Sequence, residues 1–164
     1  MRNKFLLFFL LVAAVITGFM VNSCKKDADY LPTLLTTGKW QLASVQVQHL
    51  VGDTLKTTDT LYTACSLDQF FTFNTDGSCT FTNYSCNTQP VATGHWAFST
   101  NKLSLTSDMV CDSAGTPTKP FKVAQILNLG QYSLVLRTGN LESFYPPTRK
   151  RTLTRYGFVR VKTQ

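Results

Sequence analysis

The four residues Asn74-Thr75-Asp76-Gly77 separate two short runs that alternate apolar and polar side chains, Gln69-Phe70-Phe71-Thr72-Phe73 and Ser78-Cys79-Thr80-Phe81-Thr82. Alternation with a period of two belongs to a strand with one dry face. A polar turn ending in glycine between two such runs is a hairpin signal. A type I turn with Gly77 in the left-handed region adds a bulge, because glycine enters that region without a Cβ clash. The resulting register sets Phe73 opposite Cys79 and Phe71 opposite Phe81, so that four apolar side chains share one face.

Strands and turns continue on both sides of this hairpin. Lys39 to Leu50 reads as a long first strand. Trp40 and Leu42 lie on one face and Val45 and Val47 on the opposite parity, which a bulge near Ala43-Ser44 would correct. A turn at Gly52-Asp53 opens a polar stretch rich in threonine. Val91 to Ser99 places Trp96 and Phe98 on one face, and Thr100-Asn101 turns the chain into Lys102 to Thr106. Phe121 to Leu129 and Gln131 to Thr138 form a hairpin around Gly130, with Tyr132, Leu134 and Leu136 alternating. Thr152 to Lys162 is the last strand, and no segment reads as an amphipathic helix. The expectation is an all-β fold in which about eight antiparallel up-and-down strands close into a barrel able to hold one small ligand. The longer connections, near residues 51–66, 108–120 and 139–150, are candidate mouth loops. Charged residues make up only 15% of the chain. Threonine, serine, asparagine and glutamine supply most of the polarity, as suits sheets with a hydroxyl-rich wet face.

The N-terminus carries a different message. Arg2 and Lys4 precede a run from Phe5 to Val21 without charge, the layout of a secretory signal over residues 1–23. An uncleaved membrane helix is the alternative. Val21-Asn22-Ser23-Cys24 resembles the lipobox of bacterial lipoproteins, in which the thiol, here Cys24, receives a diacylglyceryl group before cleavage. Several acyl chains on one residue anchor stably, at about 0.8 kcal/mol per buried CH₂. Residues 24–33 then read as a polar, lipidated tether and residues 34–164 as the barrel domain. By the same resemblance, the lack of an aspartate after Cys24 implies the outer membrane, on a face the sequence does not specify. The formal net charge of +7 does not point to nucleic acid in an exported chain; anionic lipid or a solvated basic surface fits better.

Setting Cys24 aside leaves Cys65, Cys79, Cys86 and Cys111, an even number that suggests two disulfides in an oxidising compartment. The hairpin register brings Cys65 and Cys86 together, which favours that bond and leaves Cys79–Cys111 by elimination. Cys79 as a buried thiol is the alternative. With no C-x-x-C and only His49 and His95, a metal site is not expected.

Gly38-Lys39-Trp40 at the start of the first strand resembles the lipocalin G-x-W motif. With Leu35, Cys65, Asp68, Phe71 to Phe73, Asp76-Gly77, Gly94-His95-Trp96 and Leu103-Ser104-Leu105, the stretch from about residue 34 to 138 resembles the lipocalin-like domain of bacterial secreted lipoproteins. The resemblance implies a tryptophan packed across a closed barrel end and an arginine stacked on it, either Arg155 or Arg160. The T-D-Y motif of lipocalins has no counterpart; the chain reads Leu129-Gly130-Gln131-Tyr132.

The candidate ligand-binding residues are Trp40, Phe71, Phe73, Phe81 and Trp96, each of which can equally be core packing. His95 and His49 read as outward. Arg149, Lys150, Arg151 and Arg155 form a basic run, either a solvated face or a contact for acidic headgroups. Glu142 is the only glutamate, the aspartates sit mainly at turns, and no nucleophile or metallohydrolase motif occurs. Neither catalysis nor a cofactor is expected. Two functions remain: a membrane-anchored barrel that binds or carries a small apolar ligand, or an envelope module that grips another protein through its mouth loops.

Overall fold

The computed structural model describes residues 30–61 and 65–161; the expected leader and Cys24 lie outside the described residues. A short helix α1 (Tyr30–Thr36) precedes β1 (Lys39–Val51), β2 (Thr54–Leu61), β3 (Phe70–Phe73), β4 (Ser78–Thr82), β5 (Ala92–Phe98) and β6 (Ser104–Ser107). There follow β7 (Cys111–Ser113), β8 (Thr116–Thr118), β9 (Ala124–Leu129), β10 (Ser133–Gly139) and β11 (Lys150–Val161). The antiparallel order β1-β3-β4-β5-β6-β9-β10-β11 closes on itself because β11 also pairs with β1 along its full length. The fold is the expected eight-stranded closed barrel. β2 hangs on the upper part of β1, and β7 pairs with β8 alone.

Strand directions separate two ends. Turns at residues 74–77, 99–103 and 130–132 lie at the lower end, and the longer connections all lie at the upper end. The hairpin register is the expected one: Phe71 pairs with Phe81 and Phe73 with Cys79, and Gly77 takes φ +84. The first strand slips register between Leu42 and Ser44. Trp40 and Leu42 therefore share the interior with Val45 and Val47.

Three elements differ from expectation. α1 begins at Tyr30, inside the stretch read as tether. A seven-residue helix is not stable alone. It is held by the buried Leu35, whose carbonyl accepts a 2.8 Å hydrogen bond from the Trp40 indole, and by Arg160, which donates to the Leu34 carbonyl. β2 replaces the first expected mouth loop. All eight of its residues are exposed, so it has no apolar alternation to read; threonine content and the tight turn at Gly52-Asp53 make it a strand. Tyr132, expected to line up with Leu134 and Leu136, is 60% exposed because β10 starts at Ser133, two residues after the expected start, and leaves Tyr132 in the turn.

The lower part of the barrel is filled by a buried cluster. Phe71 packs on Phe73, Phe121, Phe81 and Phe158 with ring centroids 4.0, 4.7, 5.3 and 6.1 Å apart. Leu105, Leu134 and Leu136 complete the buried cluster. Cys65 and Cys86 form a disulfide at the upper end.

Candidate functional site

Above the aromatic core the interior opens into a half-enclosed pocket of about 350 Å³. The strand registers explain its walls. Val45 pairs with Tyr156 on one side and Leu61 on the other, and Val47 with Thr154 and Asp59. Each row of cross-strand neighbours projects from one face, so β11, β1 and β2 form a ribbon that rises beyond the core. The lowest row is apolar apart from the Tyr156 hydroxyl. The next mixes Thr154, Val47 and Asp59, and the row above holds Thr152, His49 and Thr57. His49 and Asp59 pair at 3.1 Å on the ribbon above the pocket, outside its lining. Leu42 and Gln69 lie at the base, joined by the hydrogen bond from the Leu42 N–H to the Gln69 carbonyl.

The opposite wall is Tyr84 and Ser85, in the short turn Tyr84–Cys86, with Ser113 of β7. The Cys65–Cys86 disulfide ties this turn to the irregular segment that leads into β3. The phenols of Tyr84 and Tyr156 interact with each other, and reach Thr118 and Thr138 respectively. Burial raises the pKa of both, so they stay neutral. No Asp, Glu, Lys, Arg or His side chain lines the pocket among the described residues.

The tip of the ribbon is fastened from outside. Arg151 donates to the Asn140 carbonyl at 3.0 Å and lies 3.7 Å over the Tyr145 ring. Tyr145 in turn hydrogen-bonds Asp53. Arg149 pairs with Glu142 at 2.6 Å. A Cβ at Gly52 would meet the Pro147 carbonyl oxygen at 2.3 Å, so glycine is what lets the β1–β2 turn and the β10–β11 loop touch. With Arg155 donating to Gln46 at 3.4 Å, three of the four residues of the expected basic run are bound up in structural contacts.

At the lower end, Arg160 lies 4.5 Å over the Trp40 ring. This arrangement selects Arg160, not Arg155, as the stacked arginine, and with α1 it seals the barrel floor. A family model of the lipocalin-like domain matches residues 36–136. The chain belongs to the lipocalin-like domain family. The match ends at Leu136 in β10, so the strand that closes this lipocalin-like barrel, β11, lies beyond it. No curated protein matches the chain.

None of the five expected ligand-binding residues lines the mouth pocket of this lipocalin-like barrel. Trp40, Phe71, Phe73 and Phe81 are fully buried in contact with one another's neighbours. Trp96 sits at the lower end, edge-on to Phe73, its indole donating to the Asn74 carbonyl at 3.0 Å. The expected Cys79–Cys111 bond is also absent: both are buried thiols. Cys79 faces inward on β4 with its sulfur 3.3 Å from the Ser107 hydroxyl, and burial pushes the Cys111 thiol up to about 12. His95 is outward as expected, but paired with Asp108 at 3.3 Å. The pocket residues Val45, Val47 and Tyr156 were within reach of sequence reasoning, since the bulge already places both valines inside, and Gln69 shares the parity of Phe71 and Phe73. Tyr84, Ser85 and Ser113 were not, because their position depends on the disulfide and the inserted β7–β8 hairpin.

Proposed function

We propose that the protein is an exported lipoprotein, anchored through lipid on Cys24 in the outer membrane, whose barrel binds or carries a small, largely apolar ligand in its mouth pocket. The observation that carries this reading is the half-enclosed pocket of about 350 Å³ above a filled core. It has the size of small-molecule sites, and it sets an apolar side of Leu42, Val45, Val47 and Leu61 against uncharged polar groups on the base and the facing wall. Moving apolar ligand surface from water onto Leu42, Val45, Val47 and Leu61 supplies the driving force. The protein binds and releases; no catalytic constellation lines the pocket among the described residues.

The test is native mass spectrometry of the chain lacking residues 1–24, exported to an oxidising compartment. A retained lipid-sized adduct, released by organic solvent, supports the carrier reading. A clean unliganded mass that does not change when apolar compounds are offered counts against it. A second reading, an envelope protein-binding module, is favoured by the fully exposed β2 edge and by Phe144, 92% exposed in the β10–β11 loop. A clean mass together with capture of an envelope protein, lost on substitution of Phe144, would favour that alternative.

A further inference from the structure

Gln69 is the polar side chain at the base of the pocket. It shares the inward parity of Phe71 and Phe73 on the strand that follows it, and only 4% of its surface is exposed. Its backbone carbonyl is used by Leu42. No side-chain hydrogen bond of Gln69 is seen among the described residues, and its amide is not one of the buried unpartnered groups, so it opens to the pocket. A primary amide offers two donors and a carbonyl acceptor, and a ligand that covered it without matching it would leave it unsatisfied at a cost. The other polar groups around it differ. Tyr84 and Tyr156 engage each other and neighbouring hydroxyls, and His49 is matched to Asp59.

The charge pattern restricts what can sit on that amide. Asp59 faces the same side of the ribbon as Val47, at the pocket's upper rim. No cation lines the pocket among the described residues. A carboxylate or phosphate taken to the base would be desolvated without a counter-ion, which is strongly unfavourable, and would pass a like charge on the way. An ammonium would also lack a partner at the base. An uncharged head that both donates and accepts, such as an amide or hydroxyl, meets Gln69 in kind.

Resting on the reading of the mouth pocket as a ligand site, we infer that it selects uncharged amphiphiles, with the polar head seated on Gln69 and the apolar body along Leu42, Val45, Val47 and Leu61. The head points down into the barrel and the tail toward the mouth. Gln69 is the specificity-determining residue, because sites that hydrogen-bond a substrate group reject analogues lacking it far more strongly than apolar pockets reject an extra methylene.

The experiment is isothermal titration of the chain lacking residues 1–24 with decanamide and with decanoate, at about pH 7.5 where the acid is ionised. The expected result is decanamide binding at least about tenfold tighter than decanoate. The near-isosteric Gln69→Met should weaken decanamide by about tenfold and bring the two probes close together; Gln69→Leu serves as a second variant should the first be poorly folded. Decanoate binding as well as or better than decanamide overturns the inference and leaves the pocket reading intact. So does a decanamide preference that survives in both variants. If neither probe binds the wild-type chain, the pocket reading falls and this inference with it.

Discussion

The two ends of this barrel are built from the same strands and do opposite things. At and below the level of Leu42, β1 and β11 carry Trp40, Phe158 and Arg160, and every inward ring meets another ring or the guanidinium. Above it the same two strands carry Val45, Val47, Thr154 and Tyr156, smaller or polar side chains that leave room between them. The difference is one of side-chain volume per row. Five phenylalanines fill the narrow bore of an eight-stranded barrel, and valine and threonine do not. The hollow end is then held open from outside, by the Cys65–Cys86 bond on one wall and by the Arg151, Tyr145 and Asp53 cluster on the other.

If the lower end is the stabilising half, a truncation there should be the most damaging. Phe71→Ala removes the ring at the centre of the cluster and should cost about 3–5 kcal/mol in urea denaturation, with ligand affinity of the folded fraction nearly unchanged. The disulfide comes next. Its cysteines are 21 residues apart, and the double change Cys65→Ser and Cys86→Ser should cost about 3 kcal/mol through the freed loop. Unlike Phe71→Ala, it should also weaken binding, because Tyr84 and Ser85 lose their tie.

The buried thiols give a smaller, pH-dependent effect. Burial raises Cys111 from the ordinary 9.0 to about 12. As pH rises past 9 the unfolded chain loses this proton first, so the stability is intact below that point and drains away toward 12. Urea midpoints should fall over that range, and Cys111→Ala should flatten part of the fall. Iodoacetamide at about pH 8.5 should leave the native protein unmodified and label two thiols after unfolding; no label would mean that Cys79 and Cys111 are bonded. The smallest effect on stability is expected at the mouth. Val47→Trp fills the pocket, should shift stability by no more than about 1 kcal/mol, and should weaken ligand binding by at least about tenfold.

Most of the lower end was legible in the sequence. The hairpin around Asn74-Thr75-Asp76-Gly77 gave the register of Phe71, Phe73, Phe81 and Cys79, and from it the Cys65–Cys86 bond. The bulge after Leu42 was legible as a parity error in an otherwise clean strand. What the sequence hid was volume. Aromatic residues with inward parity read equally as cavity wall or as filling, and only the ring distances decide for filling. The facing wall of the pocket was hidden for another reason. Ser113 enters only because β7 and β8 fold back as a separate hairpin. The Cys79–Cys111 pairing failed because elimination counts cysteines without asking which way each one faces.

The most direct test of the filled-floor and open-mouth account is methyl NMR of the chain lacking residues 1–24, titrated with decanamide. The expected result is a set of shifts confined to Leu42, Val45, Val47 and Leu61, with Leu105, Leu134 and Leu136 unmoved. Shifts centred on those three core leucines would mean that the ligand enters the aromatic interior, and a spectrum with no shifts would mean that the mouth is not a binding site.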